Sequence, residues 1–238
     1  TSPPSPTPTI TLSSPKKDDL LDPAKAPDVE VRFKLANWKL DGTKGVELVL
    51  DDRASLIVTD ASRTVHLKDI DPSPAATAPG QHLLVALLRG ASGQWVKPAG
   101  KGRGPIAMAA YYVGQRGTPA WKESDPLLIY AGPPAGPAPA DGLLVDYYVV
   151  NAELGHEKYA IKASVTGPDL MTGKVIESWK PWRIRGARQG SYTVRLELDR
   201  YEHQLGESSS STTVVLDSKA VGGRWTSVTR DFDLPPAR

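Results

Sequence analysis

Short apolar segments, many of them alternating with polar residues, recur along almost the whole chain. Residues 29–35 alternate apolar and polar side chains over seven positions, the pattern of a half-buried β-strand. Turn-forming pairs such as Asp41-Gly42 and Asp141-Gly142 separate such segments, and no amphipathic helix of ten or more residues is found. The sequence therefore predicts an all-β protein, either a β-sandwich or a β-barrel. Further strands are predicted at residues 46–50, 56–58, 64–67, 82–88, 94–96, 106–113, 143–150, 159–165, 182–184, 192–198 and 212–216.

The pattern occurs twice. The chain has two asparagines, Asn37 and Asn151, and the apolar residues around them align at an offset of 114 positions. Residues 80–88 align in the same way with residues 190–198, at an offset of 110. A duplication of about 100 residues explains this length better than one large domain. The aligned apolar pairs are Val31 with Val145, Phe33 with Tyr147, Leu35 with Val149 and Leu40 with Leu154.

This repeat predicts a domain organisation. We expect a disordered Pro/Ser/Thr tether at residues 1–8, two tandem β-sandwich domains at residues 9–117 and 118–220, and a strand-like tail at residues 221–238. The Pro-rich residues 132–139 then fall inside the second domain, after its first strand. If that strand belongs instead to the first domain, the boundary moves to about residue 140. The tail is expected to pair with an open sheet edge.

Charge and composition exclude several classes of protein. The 29 Lys and Arg residues nearly balance 27 Asp and Glu, which gives a formal charge of +2 and argues against a nucleic-acid partner. The absence of Cys excludes disulfides and thiolate metal sites. No apolar run approaches the roughly 20 residues of a membrane helix. We therefore expect membrane contact only through a lipid anchor at the N-terminus.

The first residues bear on location. The chain opens at Thr1 without Met, and a small-residue, Pro-rich start is typical of the segment that follows the lipidated Cys of bacterial envelope lipoproteins. A trimmed chain would also explain the missing Met. We expect an exported protein of the periplasm or outer envelope surface.

Turn motifs in both copies resemble those of secreted bacterial immunoglobulin-like modules. The first copy has Asp51-Asp52 after a strand and Pro79-Gly80-Gln81-His82 before a later one. The second copy has Gly155-His156 at the earlier turn and Gln189-Gly190-Ser191-Tyr192 at the later one. The resemblance implies that the two tandem domains are immunoglobulin-like β-sandwiches with an adhesion, scaffold or accessory role in the envelope, and that the protein is not an enzyme.

Residues capable of catalysis or metal binding do not form a known motif. The four histidines (66, 82, 156 and 203) lack the i, i+2 or i, i+4 spacing of a local metal site, so they are expected to be structural. Residues 167–174 have five residues between the glycines and no helix signal, which favours a hairpin over a phosphate loop. Residues 208–211 lack a nucleophile elbow, and the acidic pairs Asp51-Asp52 and Asp69/Asp71 lack a calcium-loop pattern. We predict no catalytic residue, no metal and no cofactor.

Aromatic residues beside arginines are the candidate binding residues. Trp179 and Trp182 flank Lys180-Pro181, and Arg183 and Arg185 follow. Exposed Trp beside Arg is typical of protein contacts and can also stack on a sugar ring. Tyr148 is a further candidate, although most of these aromatic residues are expected in the two cores. We expect a non-catalytic envelope binding or scaffold protein that contacts another protein through sandwich edges and loops. A carbohydrate-binding module pair is the alternative, and a hydrolase accessory domain is a third possibility.

Overall fold

The computed structural model describes residues 6–98, 104–132, 142–168, 170–206, 213–221 and 225–235, and for residues 202–206 and 213–219 it describes the backbone alone. Strands make up 49% of the chain and helices 6%, so the all-β prediction is confirmed. The chain divides into two compact units, Thr1–Glu123 and Ser124–Arg238. The predictions for residues 208–211 and for most of residues 1–8 and 132–139 lie outside the described residues.

The first unit has a five-stranded sheet and a two-stranded sheet. In the larger sheet the order is β2-β7-β6-β4-β5, and all neighbours are antiparallel except β2 and β7. The smaller sheet pairs β1 with β3. The strands are β1 (Thr9–Ser14), β2 (Leu20–Leu21), β3 (Arg32–Ala36), β4 (Gly45–Leu50), β5 (Ala54–Val58), β6 (Gly80–Arg89) and β7 (Ile106–Val113).

A short helix replaces part of one predicted strand. His66 forms a single antiparallel bridge with Glu30, and helix α1 (Leu67–Ile70) begins at the next residue. The backbone N–H of His66 donates to the Asp69 carboxylate at 2.7 Å, which satisfies a donor at the start of the helix. The prediction of a strand at residues 64–67 was therefore wrong, apart from the single bridge residue His66, because the helix that begins at Leu67 competes with strand pairing.

The second unit has a larger sheet of the same kind. Its order is β12-β11-β14-β15, and β16 also pairs with β14. Two two-stranded sheets pair β8 with β10 and β9 with β13. The strands are β8 (Leu127–Ile129), β9 (Leu143–Val145), β10 (Tyr148–Val150), β11 (Tyr159–Gly167), β12 (Leu170–Ile176), β13 (Trp182–Ile184), β14 (Gly190–Gly206), β15 (Thr213–Ala220) and β16 (Ser227–Leu234).

Both units use one strand order. The order β5-β4-β6-β7 in the first unit corresponds to β12-β11-β14-β16 in the second, and the β1–β3 pair corresponds to β8–β10. The Glu30–His66 bridge takes the place of the β9–β13 pair, where Leu144 lies opposite Arg183. Residues 167–174, which were predicted as a hairpin, lie in the hairpin of β11 and β12.

Each unit has its own hydrophobic core. In the first, alternate residues of β4 and β6, including Leu48, Leu84 and Leu88, pack with Tyr111 of β7. In the second, Val194, Leu196 and Leu198 of β14 pack with residues of β10, β11 and β16. We call the face of each large sheet that is turned away from its core the outer face.

Candidate binding surfaces

The outer face of the first unit's large sheet is apolar and covered. Leu83, Val85 and Leu87 of β6 alternate with core residues, and each is no more than 3% exposed. On β7 they lie opposite Ala110, Met108 and Ile106. An antiparallel sheet usually has one polar, solvated face, so apolar residues on both faces indicate a second layer over this sheet.

Trp95 covers one part of this outer face. Glu47 of β4 points outward and is buried, and its carboxylate accepts hydrogen bonds from the Trp95 indole N–H at 2.7 Å and from the Arg89 guanidinium at 2.9 Å. A buried carboxylate is stable when it is both hydrogen-bonded and paired with a cation. The Glu47 contacts therefore fix the Trp95 loop on the sheet.

Trp121 covers another part of the same face. The side-chain amide of Gln81 on β6 accepts from the Trp121 backbone N–H at 2.7 Å and donates to the Trp121 carbonyl at 3.0 Å. This pair of hydrogen bonds replaces the backbone partners that a sheet edge would supply. Trp121 is 4% exposed, and its buried indole N–H has no hydrogen-bond partner among the described residues.

A cavity of about 210 Å³ lies beside Trp121, and we call it the Trp121 groove. Its apolar floor comes from alternate residues of β7, and the Lys17–Glu123 ion pair, 2.6 Å long, lies at its border. The Arg116 guanidinium lies 5.9 Å from the centre of the Tyr112 ring, within the range of a cation–π contact. The main lining residues are Gln81, Ile106, Met108, Tyr112, Pro119 and Trp121.

A buried charged network surrounds His82, which follows Gln81 near the start of β6 and faces the core side of the sheet. The His82 Nδ1 lies 2.6 Å from the Asp51 carboxylate, and Nε2 lies 2.7 Å from the Ala78 carbonyl oxygen. Asp51 also accepts from the Leu83 backbone N–H at 2.8 Å and from Arg53, which in turn bonds Asp71 at 3.1 Å. Both ring nitrogens thus face acceptors, so each must carry a proton to be satisfied.

The surroundings of His82 agree with a charged ring. Burial alone favours the neutral ring, but the hydrogen bond and charge of Asp51, helped by the Ala78 carbonyl, outweigh it and raise the pKa of His82. The ring also stacks on Tyr111, with 5.5 Å between centroids. Burial, followed by the charge of Asp51, raises the pKa of Tyr111, whose hydroxyl has no hydrogen-bond partner in the described part of the chain.

Two of the sequence-predicted binding residues come together in the second unit. The Tyr147 hydroxyl donates to the carbonyls of Ser178 and Lys180, which fixes the loop that carries Trp179. The Trp179 ring packs against Tyr148, with 5.2 Å between centroids. Tyr148 is 0% exposed, so its ring is not part of the surface.

The other three predicted binding residues lie along β13. Trp182 packs against the core on the same side as Ile184, whereas Arg183 points to the opposite side and is partly buried. Arg185 lies beyond the end of β13 and is exposed. All six Trp residues of the chain lie in the described residues, and each is buried or partly buried. None of the six Trp side chains is therefore fully exposed.

The remaining histidines do not converge. His66 caps α1, and exposed His156 lies 3.4 Å from the Glu177 carboxylate, which accepts from the Tyr201 hydroxyl at 2.6 Å. The His203 side chain lies outside the described part of the structure. Within the described residues, no group of three or more His, Asp and Glu side chains is placed to hold a metal ion.

The Trp121 groove was not identified from the sequence. Residues 106–113 were predicted only as a strand. Their apolar character on both faces, with Met108 and Tyr112 on one side and Tyr111 on the other, was the available signal that the outer face is covered. No local sequence pattern marks Trp121, because the residue that holds it in place, Gln81, lies 40 positions earlier in the chain.

Comparisons with known proteins add little. No family model matches the chain, and no curated protein matches it. One solved structure, a Corynebacterium diphtheriae protein titled "Putative membrane anchored protein", is 11% identical, and the match covers 96% of this chain and 59% of that one. Its TM-score of 0.27 is too low to support an argument about function. None of the described helices is long and apolar enough to cross a membrane.

Proposed function

We propose that this chain is a non-catalytic binding protein of the bacterial cell envelope, built from two immunoglobulin-like sandwiches. In this proposal the Trp121 groove of the first unit holds an apolar side chain from an extended segment of a partner protein. The observation that carries the proposal is this apolar, aromatic-walled cavity on the outer face of a sheet.

The repeated strand order supports the immunoglobulin-like part of the proposal. In such sandwiches the third and sixth strands of the fold are neighbours in one sheet, and the other sheet contains the first two strands. The order β5-β4-β6-β7 with β1–β3, and its counterpart in the second unit, fit that description.

A second feature supports it as well. The Tyr192 hydroxyl near the start of β14 donates to the Arg188 carbonyl at 2.9 Å and accepts from the Arg188 N–H at 2.8 Å. A Tyr that bonds backbone a few residues upstream at this strand is the tyrosine corner of immunoglobulin-like domains. His82 is also the third residue of its strand and also contacts a carbonyl four residues upstream, that of Ala78.

The dimensions of the groove favour a side chain over a free small molecule. Small-molecule sites usually measure roughly 300–1,000 Å³, whereas this cavity has about 210 Å³. Tyr, Trp and Met are enriched in protein interfaces, and the unbranched Met108 adapts to different partners. The covered Trp residues do not favour the carbohydrate alternative, which requires an exposed indole face.

The His82–Asp51 pair does not favour catalysis. A general base needs an unprotonated nitrogen within reach of its substrate. Here Nδ1 and Nε2 are both engaged, with Asp51 and with the Ala78 carbonyl, and the ring is 4% exposed. The pair therefore acts as a structural link between the turn after β4 and the start of β6.

Binding to a displayed peptide library tests the groove. Peptides selected on the whole protein should carry an apolar anchor residue, and Met108→Lys should weaken their binding at least ten-fold, because it places a charge on the apolar floor. Met171→Lys is the matched control, since Met171 is the only other Met of the chain and lies in the second unit. Equal loss in both variants, or unchanged binding in Met108→Lys, would contradict the proposal.

Location and the carbohydrate alternative have their own tests. Cell fractionation of the native protein should recover it with envelope membranes, and recovery in the cytoplasm would contradict export.

A panel of soluble glycans should leave Trp fluorescence unchanged. Quenching that is lost in Trp179→Ala would favour the carbohydrate alternative over a protein partner.

A further inference from the structure

Strand β12 of the second unit combines an open edge with exposed apolar side chains. It lies at the end of its sheet, and no described strand pairs with its other edge. Met171 is 83% exposed and Val175 51%, and among the described large apolar residues only Leu20 is comparably exposed. Open edges with apolar side chains invite pairing with another strand, and natural proteins usually protect them.

The sequence of β12 is nearly symmetric about its central residue. On either side of Gly173 come a polar residue, Thr172 or Lys174, then an apolar one, Met171 or Val175, and then the apolar ends Leu170 and Ile176. A strand of this kind is complementary to itself when it is reversed.

We propose that β12 pairs in antiparallel orientation with β12 of a second copy of this chain, with the two Gly173 residues opposite each other. Met171 then lies opposite Val175 of the partner subunit, and these side chains share one face because positions 171, 173 and 175 alternate with the core-facing positions. The two-fold axis passes between the glycines, so the contact closes as a dimer.

The charges of the strand fit this register. Lys174 lies opposite Thr172 of the partner subunit, so no like charges are directly opposed. On the neighbouring strand, Lys162 lies beside Val175 and is neutralised by Asp199 at 2.6 Å. Because one strand pair is small beside the roughly 1,200–2,000 Å² of stable complexes, we expect a weak, concentration-dependent dimer. This contact is separate from the Trp121 groove and does not depend on the proposed function.

Sedimentation of the whole protein over a concentration series tests the proposal. The double variant Met171→Lys/Val175→Lys should weaken dimerisation at least ten-fold, since two introduced lysines would face each other at both ends of the strand pair. Leu20→Lys is the matched control, because Leu20 is as exposed as Val175 but lies in the first unit. Wild-type protein that stays monomeric throughout the series overturns the proposal.

A charge exchange tests the register. In Met171→Glu/Val175→Lys each introduced carboxylate faces an introduced ammonium of the other copy, so dimerisation should recover and become salt-sensitive. A parallel pair would place like charges opposite each other and would not recover. Failure of recovery with an intact circular dichroism spectrum therefore overturns the antiparallel register.

Single introduced cysteines give a second measurement, which also detects weak association. The chain has no Cys of its own, so each variant carries a single thiol. Gly173→Cys should form a disulfide-linked dimer on mild oxidation, because directly opposed Cα atoms lie about 4.5–5.5 Å apart. Met171→Cys should not, because the two copies of position 171 would be about 13 Å apart. Cross-linking of Met171→Cys as fast as Gly173→Cys overturns the proposal. Met108→Lys should leave both results unchanged, which separates this contact from the groove.

Discussion

Asn37 and Asn151 adopt the same unusual backbone conformation, with φ of 55° and 57°. Asn37 follows β3 and Asn151 follows β10. Each donates its side-chain N–H to a carbonyl just before the strand that pairs with β3 or β10. The acceptors are Thr7, at 3.1 Å from Asn37, and Asp125, at 2.8 Å from Asn151. Asn tolerates the left-handed region better than other residues with a side chain, and its amide closes the turn. The two asparagines therefore serve one structural purpose in each unit.

Asn151→Ala should lower the free energy of unfolding by about 1–3 kcal/mol, because it loses the hydrogen bond to Asp125 and strains a left-handed residue. Asn151→Gly should cost less, since glycine accepts the backbone conformation and loses only the hydrogen bond. Urea denaturation measures both. The explanation is wrong if the Gly variant is destabilised as much as the Ala variant.

His82 gives a pH dependence to the first unit. The groups that face the ring are Asp51, Arg53 through Asp51, and Tyr111, and Asp71 lies beyond Arg53. Because the pKa of the folded state is raised above the ordinary value of about 6.5, the ring's contribution to stability is fully present below that value. It is lost as the pH rises through the folded-state pKa.

His82→Gln removes the titration with a neutral side chain of similar size. We expect the difference in unfolding free energy between the wild type and this variant to be largest below pH about 6 and to shrink at higher pH. Urea titrations between pH 5.5 and 9 measure it. Asp51→Asn in the wild-type background should lower the pKa of His82, which a ¹³C-labelled histidine spectrum reports. If the difference in unfolding free energy between the wild type and His82→Gln grew with pH, the His82 ring would not be charged in the folded protein.

Among the structural elements, the segment around Trp121 depends on one side chain of β6. Gln81→Ala removes both hydrogen bonds to the Trp121 backbone and should free residues 119–123 from the outer face. We expect trypsin to cleave after Lys122 at least ten times faster than in the wild type. Gln115→Ala, at an exposed glutamine outside the strands, is the control and should change nothing. Equal cleavage of all three proteins would show that other contacts hold the segment.

The strands were largely predictable, and their long-range partners were not. Alternation found β3, a continuous apolar run found β7, and the repeat found the paired asparagines, because these signals lie in neighbouring or regularly spaced residues. The His82–Asp51 pair joins residues 31 positions apart, and it forms only in the register that aligns β4 with β6. Trp121 and Trp95 reach the outer face through polar residues 40 and 48 positions away. Such contacts follow from the folded topology, which local periodicity does not specify.

At the scale of the whole molecule, the two cores share no residue. Leu48→Ala removes a fully buried side chain of the first core and should cost about 2–5 kcal/mol there. Hydrogen exchange should then show lower protection in β4, β6 and β7 and unchanged protection in β11 and β14. Leu196→Ala, equally buried in the second core, should give the reverse pattern. Loss of protection throughout the chain in either variant would show a single cooperative unit.

The position of β16 has a consequence for biosynthesis. Every strand of the first unit precedes residue 124, so that unit can complete its sheets as soon as those residues emerge from a ribosome or a translocation pore. The second unit must wait, because β16 pairs with the first eight residues of β14 along its whole length. Until residues 227–234 emerge, the edge of β14 that β16 will cover, residues 190–197, offers unpaired backbone donors and acceptors to other chains. The interval between the emergence of β14 and β16 is therefore when a nascent chain most needs a chaperone.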